Sequence, residues 1–290
     1  MIKENYLSVT GGKIWYKIAG AEKGGTPLIL IHGGPGATHD YLEPLNALSD
    51  ERPVIFYDQL GCGKSDKPND TSLWTIERFV EELYLLCKTL NYPDYHFFGQ
   101  SWGGTLAVEY ALSEKFKGIK SLILSAPLIS SKRWAEDQKA YVDQLPDLMR
   151  STILRCEAEG DFNNPEYQKA LEEFYNRHLC RIQPMPEPMQ KTFEKMNTEM
   201  YSYMWGPSEF TVNGTCKDYD ASERLGSINV PVLFTAGEFD EATPESLKYF
   251  SNKIPGSKVI IFENASHSHH LEKREEFIGV VRDFLKNVEN

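Results

Sequence analysis

The stretch Gly99-Gln100-Ser101-Trp102-Gly103 constrains the fold of this chain more than any other segment. It follows an aromatic run at 95–98 that predicts a buried strand, and it precedes an apolar run at 104–112 that predicts a helix. Glycines two residues before and two residues after a serine permit a strand-to-helix turn that is too sharp for larger side chains. Such a turn lifts the Ser101 hydroxyl out at the end of the sheet. A plain Gly-rich turn with a solvated serine is the alternative.

Short apolar runs recur along the chain, and amphipathic helical patterns separate most of them. Because strands that alternate with helices form parallel sheets covered on both faces, the pattern predicts an α/β fold. We expect a mostly parallel, eight-stranded sheet flanked by helices. The predicted strands are two within 4–20, then 27–31, 53–58, 95–98, 119–125, 230–236 and 258–262. The predicted helices of this part are 40–49, 75–91, 104–112, 244–253 and 271–288.

The strand pattern stops after Pro127 and resumes only at Val230. Between them lie charged helical stretches at 134–144, 146–158, 165–179 and 188–204, with a Pro-rich break at 184–188. The sequence therefore predicts a helical insertion at residues 129–220. The two parts of the α/β core would then be residues 1–128 and 221–290.

Composition narrows the possible partners and the compartment. The 290 residues include 42 acidic and 31 basic side chains, a net charge of −11, which argues against a nucleic-acid partner. No apolar run approaches the length of a membrane span, and the first residues lack a signal-peptide pattern. The five cysteines are odd in number and scattered, as is typical of reduced thiols. We expect a cytoplasmic protein that binds neither nucleic acid nor a membrane.

Reactive side chains follow several predicted strands, where the loops of a parallel sheet carry its chemistry. They are His32, Asp58, Ser101, Asp240 with Glu241, and His267. The order Ser101, Asp240, His267 is the order of a nucleophile-elbow hydrolase. A serine needs a base to remove its proton, and an aspartate holds that histidine in the required tautomer. We predict Ser101 as nucleophile, His267 as base and Asp240 as the residue that orients His267.

The tetrahedral oxyanion of such a reaction needs two preorganised donors. One should be the backbone N–H of Trp102, and the other should come from the Gly33-Gly34 backbone, with Gly34 as our candidate. His32 is expected to be structural. The loop Gly61-Cys62-Gly63-Lys64-Ser65 is not a phosphate-binding loop, because Asp58 stands where that motif needs glycine.

Two positions have rivals within their own loops. His269 and His270 compete with His267, although both lie nearer the predicted helix start at Leu271, where exposed histidines are common. Glu238 and Glu241 compete with Asp240, which lies nearer the middle of its loop.

These segments resemble the prolyl aminopeptidases (proline iminopeptidases) of the α/β-hydrolase fold, which include the tricorn-interacting aminopeptidases. The resemblance implies that the insertion is a helical cap over the active site. It also implies that two glutamates, Glu209 in the cap and Glu241 beside Asp240, bind the free α-amino group of the substrate. The matching segments are His32 to Gly36, Asp58 to Ser65, Gly99 to Gly104, Gly206 to Phe210, Gly237 to Pro244 and Ser266-His267.

The chain departs from the family pattern at a few positions. Leu60 stands where arginine is usual, so we assign no role to its loop, and His269-His270 replaces an expected apolar pair. Three aromatic residues, Tyr201, Tyr203 and Trp205, could line a pocket for a flat ring such as proline. Packing of the cap on the core explains them equally well.

The resulting hypothesis is a serine aminopeptidase that removes N-terminal residues, preferentially proline, from short peptides with a free N-terminus. No metal or organic cofactor is expected. An esterase, a lactonase or an amino-acid amidase on the same scaffold is the alternative, because a fold does not fix a function. A ligand sensor without catalysis is a further alternative, although such proteins usually lose part of the triad. The sequence leaves the oligomeric state open.

Overall fold

A computed structural model of the chain describes residues 1–113 and 117–290. The strands in these ranges are β1 (Ile2–Val9), β2 (Gly12–Ala19), β3 (Leu28–Ile31), β4 (Val54–Tyr57), β5 (Tyr95–Gln100), β6 (Ile119–Ser125), β7 (Val232–Gly237) and β8 (Lys258–Phe262). They form one eight-stranded sheet in the order β1-β2-β4-β3-β5-β6-β7-β8. β2 pairs antiparallel with both β1 and β4, and all other neighbours are parallel. The predicted mostly parallel sheet is confirmed.

Helices cover both faces of this sheet. The α-helices of the described ranges are α1 (Ile76–Leu90), α2 (Trp102–Leu112), α3 (Ser131–Val142), α4 (Asp147–Glu159), α5 (Pro165–His178), α6 (Glu187–Lys195), α7 (Thr198–Met204), α8 (Pro244–Ser251), α9 (His269–Glu272) and α10 (Arg274–Glu289). Short 3₁₀ segments add His39–Asp50, Thr71–Leu73 and Ser222–Ser227.

Alternate side chains of the central strands serve two separate apolar cores. Phe97 packs edge-to-face on Tyr110 of α2, with ring centroids 4.9 Å apart. Its neighbour Phe98 points to the other face and packs edge-to-face on Phe277 of α10 at 6.0 Å. Because both faces are covered, every residue of β3, β4 and β5 is buried. This explains why these strands are continuous apolar or aromatic runs rather than alternating ones.

Three predicted helices differ from the structure. Residues 39–50 form a 3₁₀ rather than an α-helix and contain Pro44, which cannot donate to a helical ladder. The helix predicted at 188–204 is two helices, α6 and α7. The break lies at Asn197, whose backbone N–H donates to Gly36 O at 2.9 Å and whose side chain caps α7. The closing helix begins at His269 rather than Leu271 and is interrupted at Lys273.

The helices α3 to α7 lie between β6 and β7, and we call the residues between those two strands the helical insertion. It has an apolar core of its own, formed by Val142, Leu145, Ile153, Cys156, Tyr167, Ala170 and Phe174. Within it, an isolated antiparallel bridge joins Ser130, ahead of α3, to Asp220, after α7, and the serine hydroxyl donates to the carboxylate at 3.0 Å. In the part of the chain that is described, no helix combines the length and the apolarity that crossing a membrane requires.

The carboxylate of Glu289, near the end of α10, ties this helix to the sheet. It accepts two hydrogen bonds from Arg52, at 2.6 and 3.1 Å, and lies 3.1 Å from His96 Nε2 on β5. The Arg52 side chain is only 7 % exposed, so its charge depends on this partner.

We therefore expect Glu289→Gln to lower the free energy of unfolding by about 2 kcal/mol, because it leaves the buried Arg52 guanidinium without a counter-charge. Urea unfolding followed by circular dichroism measures the loss. Asp283→Asn, at an exposed position of the same helix, is the matched control and should change stability little. Equal stabilities of the two variants would contradict the prediction.

Candidate active site

Ser101 occupies a strained turn between β5 and α2. Its backbone has φ 54° and ψ −123°, a conformation that non-glycine residues rarely adopt. The flanking glycines are required by space: a Cβ on Gly99 would lie 2.4 Å from the Gly103 carbonyl oxygen. A Cβ on Gly103 would lie 2.0 Å from the Ile31 carbonyl oxygen. The close contact of α2 with β3 and β5 therefore positions Ser101 at the end of the sheet.

His267 and Asp240 meet at the same end of the sheet. The distance from His267 Nδ1 to Asp240 Oδ1 is 2.8 Å, and both side chains are buried. The carboxylate also accepts the backbone N–H groups of Gly237, at 3.0 Å, and Ala242, at 2.9 Å. Burial alone would raise the pKa of Asp240, but the charge of His267 and its hydrogen bond lower it to about 2. Asp240 is therefore a carboxylate that fixes the imidazole through Nδ1.

The two neighbouring histidines do not reach the Ser101 cavity, although His269 Nδ1 lies 3.5 Å from Asp240 Oδ2. They were expected near an exposed helix start, but His269 and His270 are fully buried, and that expectation is wrong. His269 Nε2 lies 3.0 Å from both the Ser125 and the Thr235 hydroxyls, under the ends of β6 and β7. His270 Nε2 lies 3.2 Å from the Tyr41 carbonyl oxygen, and burial lowers its pKa to about 3. Neither histidine lines the cavity that contains Ser101.

The other acidic rival, Glu238, is exposed and accepts the Asn264 backbone N–H at 2.9 Å. His32 is buried, and its Nε2 accepts the Gln59 backbone N–H at 3.0 Å, which is a structural contact. Leu60 is buried, and its backbone N–H donates to the Glu82 carboxylate.

The two predicted oxyanion donors, Trp102 and Gly34, belong to segments that adjoin the cavity with Ser101. Trp102 is the first residue of α2, and the first N–H groups of a helix have no acceptor within the helix. Gly34 lines the same cavity as Ser101 and has φ +115°, which favours glycine. The preceding Gly33 N–H is already used, because it donates to the Tyr41 hydroxyl at 2.7 Å.

A cavity of about 280 Å³ lies between the sheet end and the helical insertion. It contains Ser101 and His267, and its walls are mainly apolar. No lysine or arginine lines it within residues 1–113 and 117–290. Its lining includes Gly34, Ala37, Tyr41, Gln100, Leu128, Trp134, Tyr175, Leu179, Met189, Phe193, Met196, Tyr201, Trp205, Pro207, Glu209 and Glu241.

Both predicted glutamates reach this cavity from different parts of the chain. Glu209 comes from the helical insertion and accepts a hydrogen bond from the Tyr201 hydroxyl at 2.5 Å. Glu241 follows Asp240 and is 2 % exposed, and its Oε1 has no hydrogen-bond partner among the described residues. Burial raises the pKa of both carboxyl groups, and the charge of Glu209 raises that of Glu241 further. The cavity therefore contains two acidic groups and, among its described lining residues, no lysine or arginine.

Sequence analysis left open whether Tyr201, Tyr203 and Trp205 line a pocket or pack the insertion on the core, and the structure shows both arrangements. Tyr201 and Trp205 line the cavity. Tyr203 is 41 % exposed and packs edge-to-face on Trp74. Residues four apart share a helix face, so 201 and 205 point inward together while 203 points away.

Sequence analysis missed Glu157 of α4, which holds the loop that carries Glu209. Its carboxylate accepts hydrogen bonds from the Tyr167 hydroxyl, from the Ser208 hydroxyl at 3.0 Å and from the Thr211 hydroxyl. The last two residues flank Glu209 in sequence, so the carboxylate fixes both sides of the loop. Glu157 belongs to no motif, and no local signal marks it.

Gln100 was also missed, although it lies inside the Gly-x-Ser-x-Gly stretch. Its Nε2 lies 2.9 Å from His267 Nε2. No hydrogen bond joins the Ser101 hydroxyl to His267 in the ranges that the structure describes. In those ranges no group of three or more His, Cys, Asp or Glu side chains is arranged to hold a metal ion.

The charges around His267 give a prediction for its titration. Burial disfavours the imidazolium, but the charge and hydrogen bond of Asp240 and the charges of Glu241 and Glu209 raise the pKa of His267 above its ordinary value. We expect Glu209→Gln and Glu241→Gln each to lower this pKa, because each removes a negative charge that favours the cation. NMR titration measures it, with the His267 resonance assigned by its loss in His267→Gln. Glu238→Gln, an exposed change in the same loop, should leave it unchanged, and an equal shift there would refute this account.

Comparison with known proteins places the chain in a family. The family model described as alpha/beta hydrolase fold matches residues 26–274. The chain is 44% identical to a proline iminopeptidase of Heyndrickxia coagulans, over 99% of this chain and 100% of that protein. It is 41% identical to a proline iminopeptidase of Saccharolobus solfataricus, over 99% of this chain and 93% of that protein. The crystal structure of the proline iminopeptidase of Mycobacterium smegmatis superposes with a TM-score of 0.92 at 38% identity, covering 99% of this chain and 98% of that one. The chain therefore belongs to the proline iminopeptidase family, within the α/β-hydrolase fold.

Proposed function

We propose that this chain is a serine aminopeptidase that releases N-terminal residues, preferentially proline, from short peptides. The observation that carries the proposal is the cavity itself. Ser101 and His267 share it with two carboxyl groups, the half-buried Glu209 and the buried Glu241, and no lysine or arginine lies among the described lining residues. Two acidic groups on the wall of a mainly apolar cavity favour a ligand that supplies a positive charge. The free amino terminus of a peptide is such a group.

The chemistry follows the triad order. The Ser101 oxygen bonds to the carbonyl carbon of the first substrate residue, and the serine proton passes to His267 Nε2. Asp240 stabilises the resulting imidazolium through Nδ1. The backbone N–H groups of Gly34 and Trp102 hold the oxyanion.

Collapse of this intermediate breaks the carbon–nitrogen bond, and His267 delivers its proton to the departing amine. A water molecule then attacks the acyl-enzyme and gives one proton to His267. Release of the acyl group as the free amino acid returns that proton to the Ser101 oxygen, so the enzyme is regenerated without any other reactant.

Substrate selection rests on the helical insertion, which we propose to be a cap with boundaries at residues 129 and 220. The bridge between Ser130 and Asp220 supports these boundaries, because the inserted chain leaves and re-enters the core there. The cap contributes Glu209 and the rings of Tyr201 and Trp205 to the cavity wall. Flat apolar walls beside a carboxylate suit the ring and the secondary amine of an N-terminal proline.

We also propose that the enzyme works in the cytoplasm. All five cysteines are free and buried, which is compatible with a reducing compartment.

A panel of para-nitroanilides tests the proposed reaction. We expect the highest kcat/KM for the proline anilide with a free amine, and loss of activity on its N-acetyl derivative, because acetylation removes the charge. Ser101→Ala should lower turnover at least about a thousandfold while the thermal unfolding curve stays unchanged. Equal rates on the acetylated and free substrates would refute the aminopeptidase. A strong preference for para-nitrophenyl acetate would instead identify an esterase.

Two cap glutamates should affect recognition of the amine differently. Glu209→Gln should lower kcat/KM for the proline anilide by about thirtyfold or more, because a charge partner of the substrate within the cavity is lost. Glu157→Gln should raise KM several-fold with a smaller change in kcat, because it loosens only the loop that carries Glu209. Steady-state kinetics on the proline anilide measures both effects. Glu159→Gln, an exposed change on the same helix, is the control, and a Glu157 variant that behaves like it would contradict the role of Glu157 in holding the loop.

A further inference from the structure

A chain of buried hydrogen bonds joins the Gly33-Gly34 loop to His267. The Gly33 backbone N–H lies 2.7 Å from the Tyr41 hydroxyl oxygen, which lies 2.6 Å from Gln100 Oε1. At the other end of the same carboxamide, Gln100 Nε2 lies 2.9 Å from His267 Nε2. Tyr41, Gln100 and His267 are 4 %, 3 % and 5 % exposed, so these hydrogen bonds lie among buried side chains.

The direction of every hydrogen bond in this chain is fixed by its first member. A backbone N–H can only donate, so the Tyr41 oxygen accepts from Gly33 and its single hydrogen points to Gln100. Burial raises the pKa of the Tyr41 phenol, which keeps that hydrogen in place. The Gln100 atom facing Tyr41 must accept, and it is therefore the carbonyl oxygen. The atom facing His267 is consequently the amide nitrogen, which can only donate.

This direction determines the protonation of the imidazole. The Gln100 amide hydrogen-bonds to His267 Nε2 only when that nitrogen carries a lone pair, so this arrangement favours the neutral ring with its proton on Nδ1 against the carboxyl groups that raise its pKa. That proton is donated to Asp240 Oδ1, at 2.8 Å. An imidazolium, or the other neutral tautomer, would place two N–H groups against each other at Nε2.

We propose that Gln100 is a positioning residue that keeps His267 in the base-competent form before substrate arrives, and that it passes the Nε2 lone pair to the Ser101 hydroxyl during attack. This role rests on the proposed function, in which the same lone pair accepts the serine proton. In the described residues the lone pair is engaged by Gln100 and not by Ser101. This series of hydrogen bonds starts at Gly33, next to the proposed oxyanion donor Gly34. One set of hydrogen bonds therefore positions both the base and the oxyanion loop.

The surroundings of His267 explain why such a donor is needed. Asp240 and Glu241, from the loop after β7, and Glu209, from the helical insertion, all favour the imidazolium. From α9, His269 Nδ1 lies 3.5 Å from Asp240 Oδ2 and the His269 ring packs edge-to-face on His270, and the His178 carbonyl at the end of α5 accepts the His267 backbone N–H. The three carboxyl groups would hold the base as a cation, which cannot accept the serine proton. Gln100 opposes them, since its N–H hydrogen-bonds only to the neutral ring.

The test uses substitutions that remove or invert this donor. Gln100→Met keeps the approximate volume and removes the N–H, so the pKa of His267 should rise by about one unit, the effect of one lost hydrogen bond. Gln100→Glu presents a carboxylate to both Tyr41 and the imidazole, and should raise the pKa of His267 further. Tyr41→Phe leaves the carboxamide in place without its orienting hydroxyl, and should raise the pKa of His267 by less than Gln100→Met does.

Two measurements report the effect. NMR titration gives the pKa and the neutral tautomer of His267 without any substrate, and the wild type should have its proton on Nδ1. The acidic limb of kcat/KM for para-nitrophenyl acetate, which lacks an amine, should move to higher pH in the same order. Gln144→Met, the same substitution at an exposed position of the insertion, should leave both unchanged.

The outcomes separate this inference from the proposed function. An unchanged pKa of His267 in Gln100→Met and in Tyr41→Phe, or a wild-type proton on Nε2, overturns the role of Gln100 even if the proline anilide is cleaved. Failure to cleave that anilide overturns the proposed function, while the titration and the ester profile still decide the role of Gln100. If Gln100→Met does not fold, Tyr41→Phe alone decides the role of Gln100, by whether it raises the pKa of His267.

Discussion

The close backbone contact between α2 and the strands beneath it determines the geometry of this molecule. The Gly103 Cα packs so tightly against the end of β3 that no side chain fits, and Gly99 is equally confined by Gly103. This contact forces Ser101 into a conformation with positive φ and sets the first turn of α2 beside the loop that follows β3. Ser101, the N-terminus of α2 and the Gly33-Gly34 backbone are therefore positioned by one packing constraint.

The sequence predicted the parts of the fold that depend on local pattern. Buried parallel strands such as β3 and β4 are continuous apolar runs, and glycines around Ser101 indicate the turn. The break in the helix at Asn197 was not predictable, because it depends on a hydrogen bond to Gly36, far away in sequence. Burial of His269 and His270 was missed for a related reason. Polar residues are buried where partners satisfy them, and those partners come from other strands and segments.

The same distinction applies to the site. The motifs and their order predicted that Ser101, Asp240 and His267 lie together. The family resemblance added Glu209 and Glu241. In the structure all five residues lie at one end of the sheet. The roles of Gln100 and Glu157 could not be predicted from the sequence, because each role depends on atoms of other segments that the side chain contacts only in the folded structure. The direction of the hydrogen bonds at Gln100 follows from a backbone N–H of another loop. Glu157 is identified only by three hydroxyl groups, one from α5 and two from the loop that carries Glu209.

Asn197 also has a mechanical consequence. Besides its bond to Gly36, its side-chain amide donates to the Gly61 carbonyl oxygen at 3.0 Å, so one residue of the insertion is attached to two loops of the core. If the insertion lifted as a rigid body, it would have to break these hydrogen bonds or drag the glycine loop after β3 with it. A rotation of the half-exposed Phe193 side chain at the cavity wall would disturb neither. The hydrogen bonds of Asn197 thus oppose a hinge-like opening of the insertion next to the glycine loop after β3, where the backbone must stay accurately aligned.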